Sequence, residues 1–363
     1  MGSTVDEKPV PETGSGERPV RYSMSPDFVR FLDRWNIAIA ATSYQSGRLY
    51  LLSRNPKGGL MVNEQLFENA MGLWVEGDTV HLASRANIHR LQNVLRPGEW
   101  INETYTQCYV PRTAHFTGLL DIHDIGVGKS GDIVFVSSLY NCIATLSDRH
   151  SFKEVWRPAF VSSLVAEDRC HLNGMAMQNG EPRYATAVSR SDVIDGWRDR
   201  RSDGGVVVDV PENRIVCDGL SMPHSPRLHN GRLWVLNSGA GELGWVEPGR
   251  GKKPGKFNKL AFCPGFLRGL SFHGNYAFVG LSRPRYQRFE GLALDDRLRS
   301  ADAEAWCGIQ IIDLATGACV EWFRIDGAIG EMYDVAVLEN VGCAQSLGFS
   351  TDEPLRLITI EET

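Results

Sequence analysis

Six segments of one form recur along the chain, and self-similarity of that kind fixes an architecture before any single residue is considered. They read GLWVEGDTVHLAS from Gly72, DIGVGKSGDIVFVSS from Asp124, GMAMQNGEPRYATAVS from Gly174, SPRLHNGRLWVLNS from Ser225, GLSFHGNYAFVGLS from Gly269 and DVAVLENVGCAQSL from Asp334. Each begins on a small or acidic residue, alternates apolar residues, turns at Gly or Asn and ends in a second apolar run. The spacings are 52, 50, 51, 44 and 65 residues, the last stretched by the polar insertion 283–302. Two more β-rich runs follow each repeat, as LGWVEPG and FNKLAFC do after the fourth. Four short strands per repeat, joined by Gly, Asn and Asp turns, are the sequence form of a β-propeller blade. Neither a WD dipeptide nor a kelch glycine pair recurs.

The ends of the chain fit a closed ring. Residues 37–44, 48–53 and 60–67 read as three strands without an innermost partner, and the last repeat, from Tyr333, is an innermost strand with little after it. Joined, they make one composite blade that removes the open sheet edges. The expected fold is therefore all-β, a six-bladed β-propeller closed by a composite N- and C-terminal blade. Seven blades are the alternative if 342–362, ending RLITIE, forms more structure. Residues 25–35 read as a short amphipathic helix with Ser25 as N-cap and Pro26 at its first position. Residues 1–22 read as a disordered segment, leaving 23–363 as a single propeller domain.

Composition narrows the class. With 42% hydrophobic and 23% charged residues among 363, the chain is globular rather than disordered. A formal charge of −6 argues against nucleic-acid binding, which needs a basic face. No apolar run reaches the length of a membrane span, and the polar N-terminus lacks a signal peptide's apolar stretch, so a cytoplasmic location away from membranes is expected. Eight cysteines without a CxxC pair read as reduced, mostly buried thiols rather than disulfides or a zinc ribbon.

In a propeller the innermost strands ring one mouth of the central channel. The residue before each repeat is Met71, His123, Asn173, His224, Arg268 or Tyr333, and two residues earlier stand Asn69, Asp121, His171, Met222, Phe266 and Glu331. Alternation along a strand would turn both sets the same way. Three of the nine histidines then share one axis with an arginine, a tyrosine and two carboxylates. His123, His171 and His224 come from consecutive blades and would converge as a three-histidine metal set, zinc first, with iron or copper also suited. Asp121 or Asp124 would accept the second ring N–H of His123. Tyr333 would act as acid/base, and Arg268 would orient a carboxylate or stabilise an oxyanion. The opposing consideration is that a lone histidine at a strand start is more often a hydrogen-bonded structural residue than a ligand; the shared register is what favours a site. The insertions 190–204 and 282–302 would lie over this mouth as a lid, offering Arg283, Arg285 and Tyr286 to a substrate.

The runs DIHDIG, HLNGMA with SRSDV and GWR, and MPHSPRLHNGRLWVLNSGAGELG resemble a bacterial family of uncharacterised proteins, a domain of unknown function. The resemblance covers about residues 26 to 350 and implies a shared propeller fold. As a set, His123, His171, His224, Tyr333 and Arg268 are also similar in architecture and residue type to the zinc-dependent lyase of peptide amidation. Calcium-dependent lactonase propellers use carboxylate and Asn ligands instead, a role that Glu331, Asn173 and Asp121 would take here, making calcium the second metal to expect. The combined reading is a metal-dependent lyase or hydrolase acting in the channel on a small polar or peptide-derived substrate. The competing one is a non-catalytic propeller that binds a peptide or protein partner.

Overall fold

The computed structural model describes residues 19–249, 253, 255–284 and 289–360. Its strands form six sheets, each built on four antiparallel strands, and two sheets gain a fifth strand. Blade 1 is the composite one: Val335–Glu339 is innermost, followed outward by Ile37–Ser43, Arg48–Arg54 and Leu60–Leu66. The innermost strands of blades 2 to 6 are Leu73–Glu76, Ile122–Val127, Leu172–Gln178, Pro223–His229 and Phe266–His273. The all-β six-bladed propeller and its closure by the two chain ends are as the sequence implies.

Among the described residues, the C-terminal stretch makes no seventh blade. Ala344–Ser346 pairs in parallel with the outer strand Gln107–Phe116 of blade 2, and Glu353–Arg356 is a short helix. At the other end, Arg21–Met24 adds a fifth strand to blade 6 against Cys319–Asp326. Of the segment 1–22 expected to be disordered, residues 1–18 lie outside the described residues, while Arg21 and Tyr22 belong to this strand and are ordered by its pairing.

The expected helix starts later than its sequence signals suggest. It spans Phe28–Trp35, and Asp27 occupies the cap position. Ser25 is buried, and its hydroxyl bonds the Glu321 side chain while accepting the Trp322 N–H at 3.0 Å. Its side chain therefore staples the approach to the helix onto blade 6 and is unavailable as a cap. The helix buries Phe28, Phe31 and Leu32 against Tyr50, Phe278 and Phe323, closing the seam between blades 1 and 6.

Apolar clusters fill the spaces between sheets, where Ile, Val, Leu and aromatic side chains from facing blades interlock. All eight cysteines are unbridged, and all but Cys319 are buried. No helix among the described residues is long and apolar enough to cross a membrane.

The first residue of each repeat shows how the ring is fastened. In blades 1 to 6 it is Asp334, Gly72, Asp124, Gly174, Ser225 and Gly269, so a polar residue alternates with glycine. Each polar side chain reaches forward to the next blade's backbone. The Asp334 carboxylate accepts the Leu73 N–H at 2.9 Å, Asp124 accepts that of Met175 at 2.9 Å, and the Ser225 hydroxyl accepts that of Gly269 at 3.0 Å. Each glycine lies against the polar residue of the following blade. A Cβ on Gly72 would stand 3.0 Å from the Asp124 Cα, one on Gly174 would stand 3.1 Å from the Ser225 N, and one on Gly269 would stand 2.5 Å from the Val335 N. Backbones meet closely there because glycine carries no side chain.

The residues two places before the inner-strand mouth position break the strand parity. Asn69, Asp121, His171 and Met222 have φ of 52°, 53°, 52° and 46°, in the left-handed region that non-glycine residues seldom occupy. At these four positions simple alternation does not set the shared face, because a left-handed residue turns the chain and resets the pleat; Phe266 and Glu331 have no such turn, and both meet Arg268.

The glycine contact can be separated from the cost of positive φ. Gly219 (φ 73°) has open space around its missing Cβ, whereas Gly269 (φ 77°) abuts backbone. Gly219→Ala should cost roughly 1–2 kcal/mol for its conformation alone, and Gly269→Ala at least about 1–3 kcal/mol more. Urea unfolding of both variants measures this; equal losses would show that the blade contact contributes nothing.

Candidate functional site

The central channel has a floor. Arg227 of blade 5 donates to both Asp124 oxygens of blade 3, at 2.8 and 3.1 Å, and its guanidinium lies 3.9 Å from the Asp334 carboxylate of blade 1. Blades 1, 3 and 5 are spaced evenly around the ring, so a side chain from one that meets the other two must cross the axis. Arg227 also donates to the carbonyls of Met175 and Pro226, both at 3.0 Å. Two carboxylates share this one arginine. Burial raises the Asp334 carboxyl, Arg227 pulls it back and Asp124 pushes it up again, leaving it at about 7. Asp124 therefore belongs to the floor and not to His123, which corrects one of the two partners expected for that ring.

Above the floor, the mouth gathers most of the residues singled out from sequence. His123 donates its Nδ1–H to the Asp121 carbonyl at 3.1 Å, with the Asp121 carboxylate at 3.6 Å. His224 donates from Nδ1 to the Met222 carbonyl at 2.9 Å. His171 donates from Nδ1 to the Asp168 carboxylate, 2.9 and 3.1 Å from its two oxygens. A carbonyl oxygen can only accept, so the Nδ1–H form is fixed in His123 and His224, and Nε2 carries the lone pair in each. Asn173, its oxygen engaged by the Thr186 hydroxyl at 2.8 Å, directs its N–H to the His224 Nε2 at 3.4 Å. Among the described residues, the Nε2 atoms of His123 and His171 carry no hydrogen bond.

Packing sets the electrostatics. The His123 and His171 rings meet edge to face at 4.9 Å, and His123 meets Tyr333 at 5.6 Å. The Arg268 guanidinium lies 5.1 Å from the centre of the Tyr333 ring and 5.2 Å from that of Phe266, and it pairs with Glu331. Burial holds His123 below the ordinary imidazole value and His224 well below it, with Arg268 adding to both effects. Both rings are neutral at pH 7. Burial likewise pushes the Tyr333 hydroxyl well above 10, so it stays a donor. The Tyr333 hydroxyl and the Arg268 Nε are buried, and neither has a hydrogen-bond partner among the described residues. Such orphaned donors are expensive unless a water or a ligand meets them.

The three histidines do not form a metal set as they stand. Among the described residues, no three His, Cys, Asp or Glu side chains are grouped so as to hold an ion. The lone pair of His224 is engaged by Asn173, and His171 reaches the mouth from a left-handed backbone position. The set suggested for calcium is also committed elsewhere, Glu331 to Arg268 and Asn173 to Thr186 and His224.

Both insertions lie over this mouth. Trp197 of the first stacks on His171 at 4.3 Å, and its indole N–H donates to Asp168 at 3.0 Å. Phe289, Leu292, Leu294 and Leu298 of the second pack with Trp197, Val188, Met222 and Phe266 in one apolar cluster. The helix Ala293–Ser300 is tied down by Arg297, which bonds Glu242 and the Ala240 carbonyl. Arg283 donates to the carbonyls of Gly327 and Ile329 at 2.8 and 2.6 Å, bracing the loop before Glu331 rather than facing a ligand. Arg285 and Tyr286 lie outside the described residues. Asp168 and Trp197 are functional candidates that the repeat search passed over, because both stand outside the inner strands. The signal that points to Asp168 is its place three residues before His171.

A family model described as Domain of unknown function (DUF4915) matches residues 26–347. No curated protein matches the chain. Among solved structures, a chain of the nidogen/laminin complex is 13% identical with a TM-score of 0.48, over 85% of this chain and 100% of that one. Virginiamycin B lyase from Staphylococcus aureus is 11% identical with a TM-score of 0.41, over 85% and 99% of the two chains. A luciferin-regenerating enzyme is 10% identical with a TM-score of 0.41, over 90% and 100%. Likenesses this distant carry no argument about chemistry.

The buried ionisable groups give a pH dependence whose sign can be worked out. His81 and His89 in blade 2 are held down to about 4, chiefly by burial, so their contribution to stability is present above 6.5 and lost as pH falls through about 4. Asp334 acts oppositely: its raised value makes a contribution that is present below 3.8 and lost as pH rises through about 7. It therefore offsets part of the acid loss. Unfolding free energies between about pH 5 and 6.5 should fall on acidification, and more steeply in Asp334→Asn, by on the order of 1 kcal/mol per pH unit. An unchanged slope would show that Asp334 holds no proton in the fold.

Proposed function

We infer the function from the channel itself, because the chain belongs to the DUF4915 family, which is described as a domain of unknown function. The reading the geometry favours is an enzyme whose mouth site performs acid–base chemistry, as a lyase or hydrolase, on a small polar substrate bearing a carbonyl. The observation that carries it is the pair of buried donors without partners among the described residues, the Tyr333 hydroxyl and the Arg268 Nε, beside the His123 and His171 imidazoles, whose Nδ1–H groups are engaged and whose Nε2 atoms carry no hydrogen bond there. The donors suit an oxygen that gains negative charge during reaction, and an open Nε2 suits the removal of a proton. The charge of Arg268 is matched by Glu331, so the arginine offers a directed N–H rather than an unbalanced cation. That favours an uncharged ester, lactone or amide over a free carboxylate, which narrows the role expected for Arg268 from sequence.

A zinc, iron, copper or calcium ion would have to draw His224 away from Asn173 or Glu331 away from Arg268, and no step of this reading runs through one. The test is a screen of uncharged esters, lactones, amides and elimination substrates, run with chelator and with added zinc. Turnover should drop about 100-fold or more in Tyr333→Phe and in His123→Ala at unchanged fold. No turnover in any class by intact protein, or variants as active as the parent, would overturn the reading and favour a partner-binding propeller. Activity that requires zinc and is lost with any of the three histidines would replace it with the metal-dependent form.

A further inference from the structure

His171 and Asp168 differ from the other mouth groups in how they are held. The Asp168 carboxylate accepts the His171 Nδ1–H at 2.9 Å and the Trp197 indole N–H at 3.0 Å. Trp197 covers the His171 ring on one face and is itself covered by the Arg198 guanidinium, 4.5 Å from its centre. The backbone between the two is locked. The Cys170 N–H is held by the Asn141 side chain at 2.9 Å, and Arg169 is paired with Glu167 and Asp192, both at 2.8 Å. Asp168 and His171 both sit at positive φ, 40° and 52°. Left-handed backbone at two non-glycine residues of one short turn is unfavourable and persists only where the surroundings enforce it.

We propose that His171 is the general base of the mouth site, oriented by Asp168, and that Trp197 of the first insertion is the positioning residue that fixes that carboxylate. The assignment rests on the acid–base reading of the channel and names the group that takes the proton. His171 Nε2 accepts one proton from substrate or water and becomes imidazolium, while Nδ1–H stays in place. Asp168 remains ionised and balances the new charge, and the proton then passes to the leaving group or to solvent. Asp168 suits this: burial alone would raise its carboxyl, and the bonds from His171 and Trp197 outweigh burial and hold it below the ordinary value. Among the described residues, neither His123 nor His224 has a carboxylate so placed; their Nδ1–H groups meet carbonyls.

An amide at position 168 makes a discriminating probe. When its oxygen takes the indole N–H, its NH2 faces the His171 Nδ1, which must then accept, so the proton moves to Nε2 and the lone pair turns away from the mouth. Carbethoxylation of the full-length protein by diethyl pyrocarbonate, with site-resolved mass spectrometry at pH 7, reads this without any substrate. The His123 and His171 side chains are 6% and 10% exposed, a difference much smaller than the tenfold effect expected, so access alone does not account for it. His171 should react about tenfold faster than His123, and the Asp168→Asn variant should lose about tenfold at His171 alone. Trp197→Phe keeps the ring stack and removes the N–H; it should give an intermediate loss and serves if Asp168→Asn does not fold. Equal rates at His123 and His171, or a His171 rate indifferent to both variants, would overturn the assignment. The reactivity pattern stands or falls independently of the substrate screen, so a failure of the enzyme reading is distinguishable from a failure of this one.

Discussion

The channel depends on a ring of six residues, Asp334, Gly72, Asp124, Gly174, Ser225 and Gly269, through which each inner strand is fastened to the next. Around the ring the fastening changes character. Side-chain acceptors bind forward onto backbone N–H groups, and glycines admit the following backbone at close range. The two kinds of joint need each other. A carboxylate can reach a neighbour's amide only if the strands lie close, and close strands leave amides that must be satisfied. Three two-blade units result, and the axis inherits an approximate threefold order that six sheets alone would not impose.

That order decides what the mouth can be. The carboxylates that tie blades 1 to 2 and 3 to 4 also converge on Arg227, so the polar centre of the ring is occupied by structure. Reactive side chains remain only in the layer above, at the positions that precede the ring. There the left-handed turns at Asp121 and Met222 point their own carbonyls at the histidines two residues on, and that local bond selects the tautomer of each ring. The left-handed turns at the mouth thus also set where the imidazole lone pairs face.

Much of this was legible in the sequence, because a repeat exposes architecture. The spacing of the six segments located the innermost strands, and the unmatched strands near Ile39 and Tyr50 announced the composite closure with Val335–Glu339. The mouth residues His123, His224, Arg268 and Tyr333 followed from register alone. What escaped was any relation that crosses the axis or leaves the inner strand. Asp124 and Arg227 stand 103 residues apart and meet because an arginine is long enough to span the channel. Proximity along the chain, the only distance a sequence offers, makes Asp124 as well as Asp121 a candidate partner for His123. The residues after Ser25 suit a helix start and make it look like a cap, whereas the acceptor of its hydroxyl lies 296 positions away on Glu321. The alternation of glycine with a polar residue was present in the six segment starts, but its meaning required knowing that those starts touch.

The Arg227 crossing has a consequence for traffic. With the axis blocked beneath the histidines, the channel is a blind well rather than a tunnel, and whatever goes in must come back out past the two insertions. A long chain cannot be threaded through and processed along its length. Only a compact molecule, or the free tip of a larger one, can reach the bottom, and a bound molecule obstructs the next until it backs away. If the mouth performs the proposed acid–base chemistry, departure rather than bond-breaking would tend to limit its turnover.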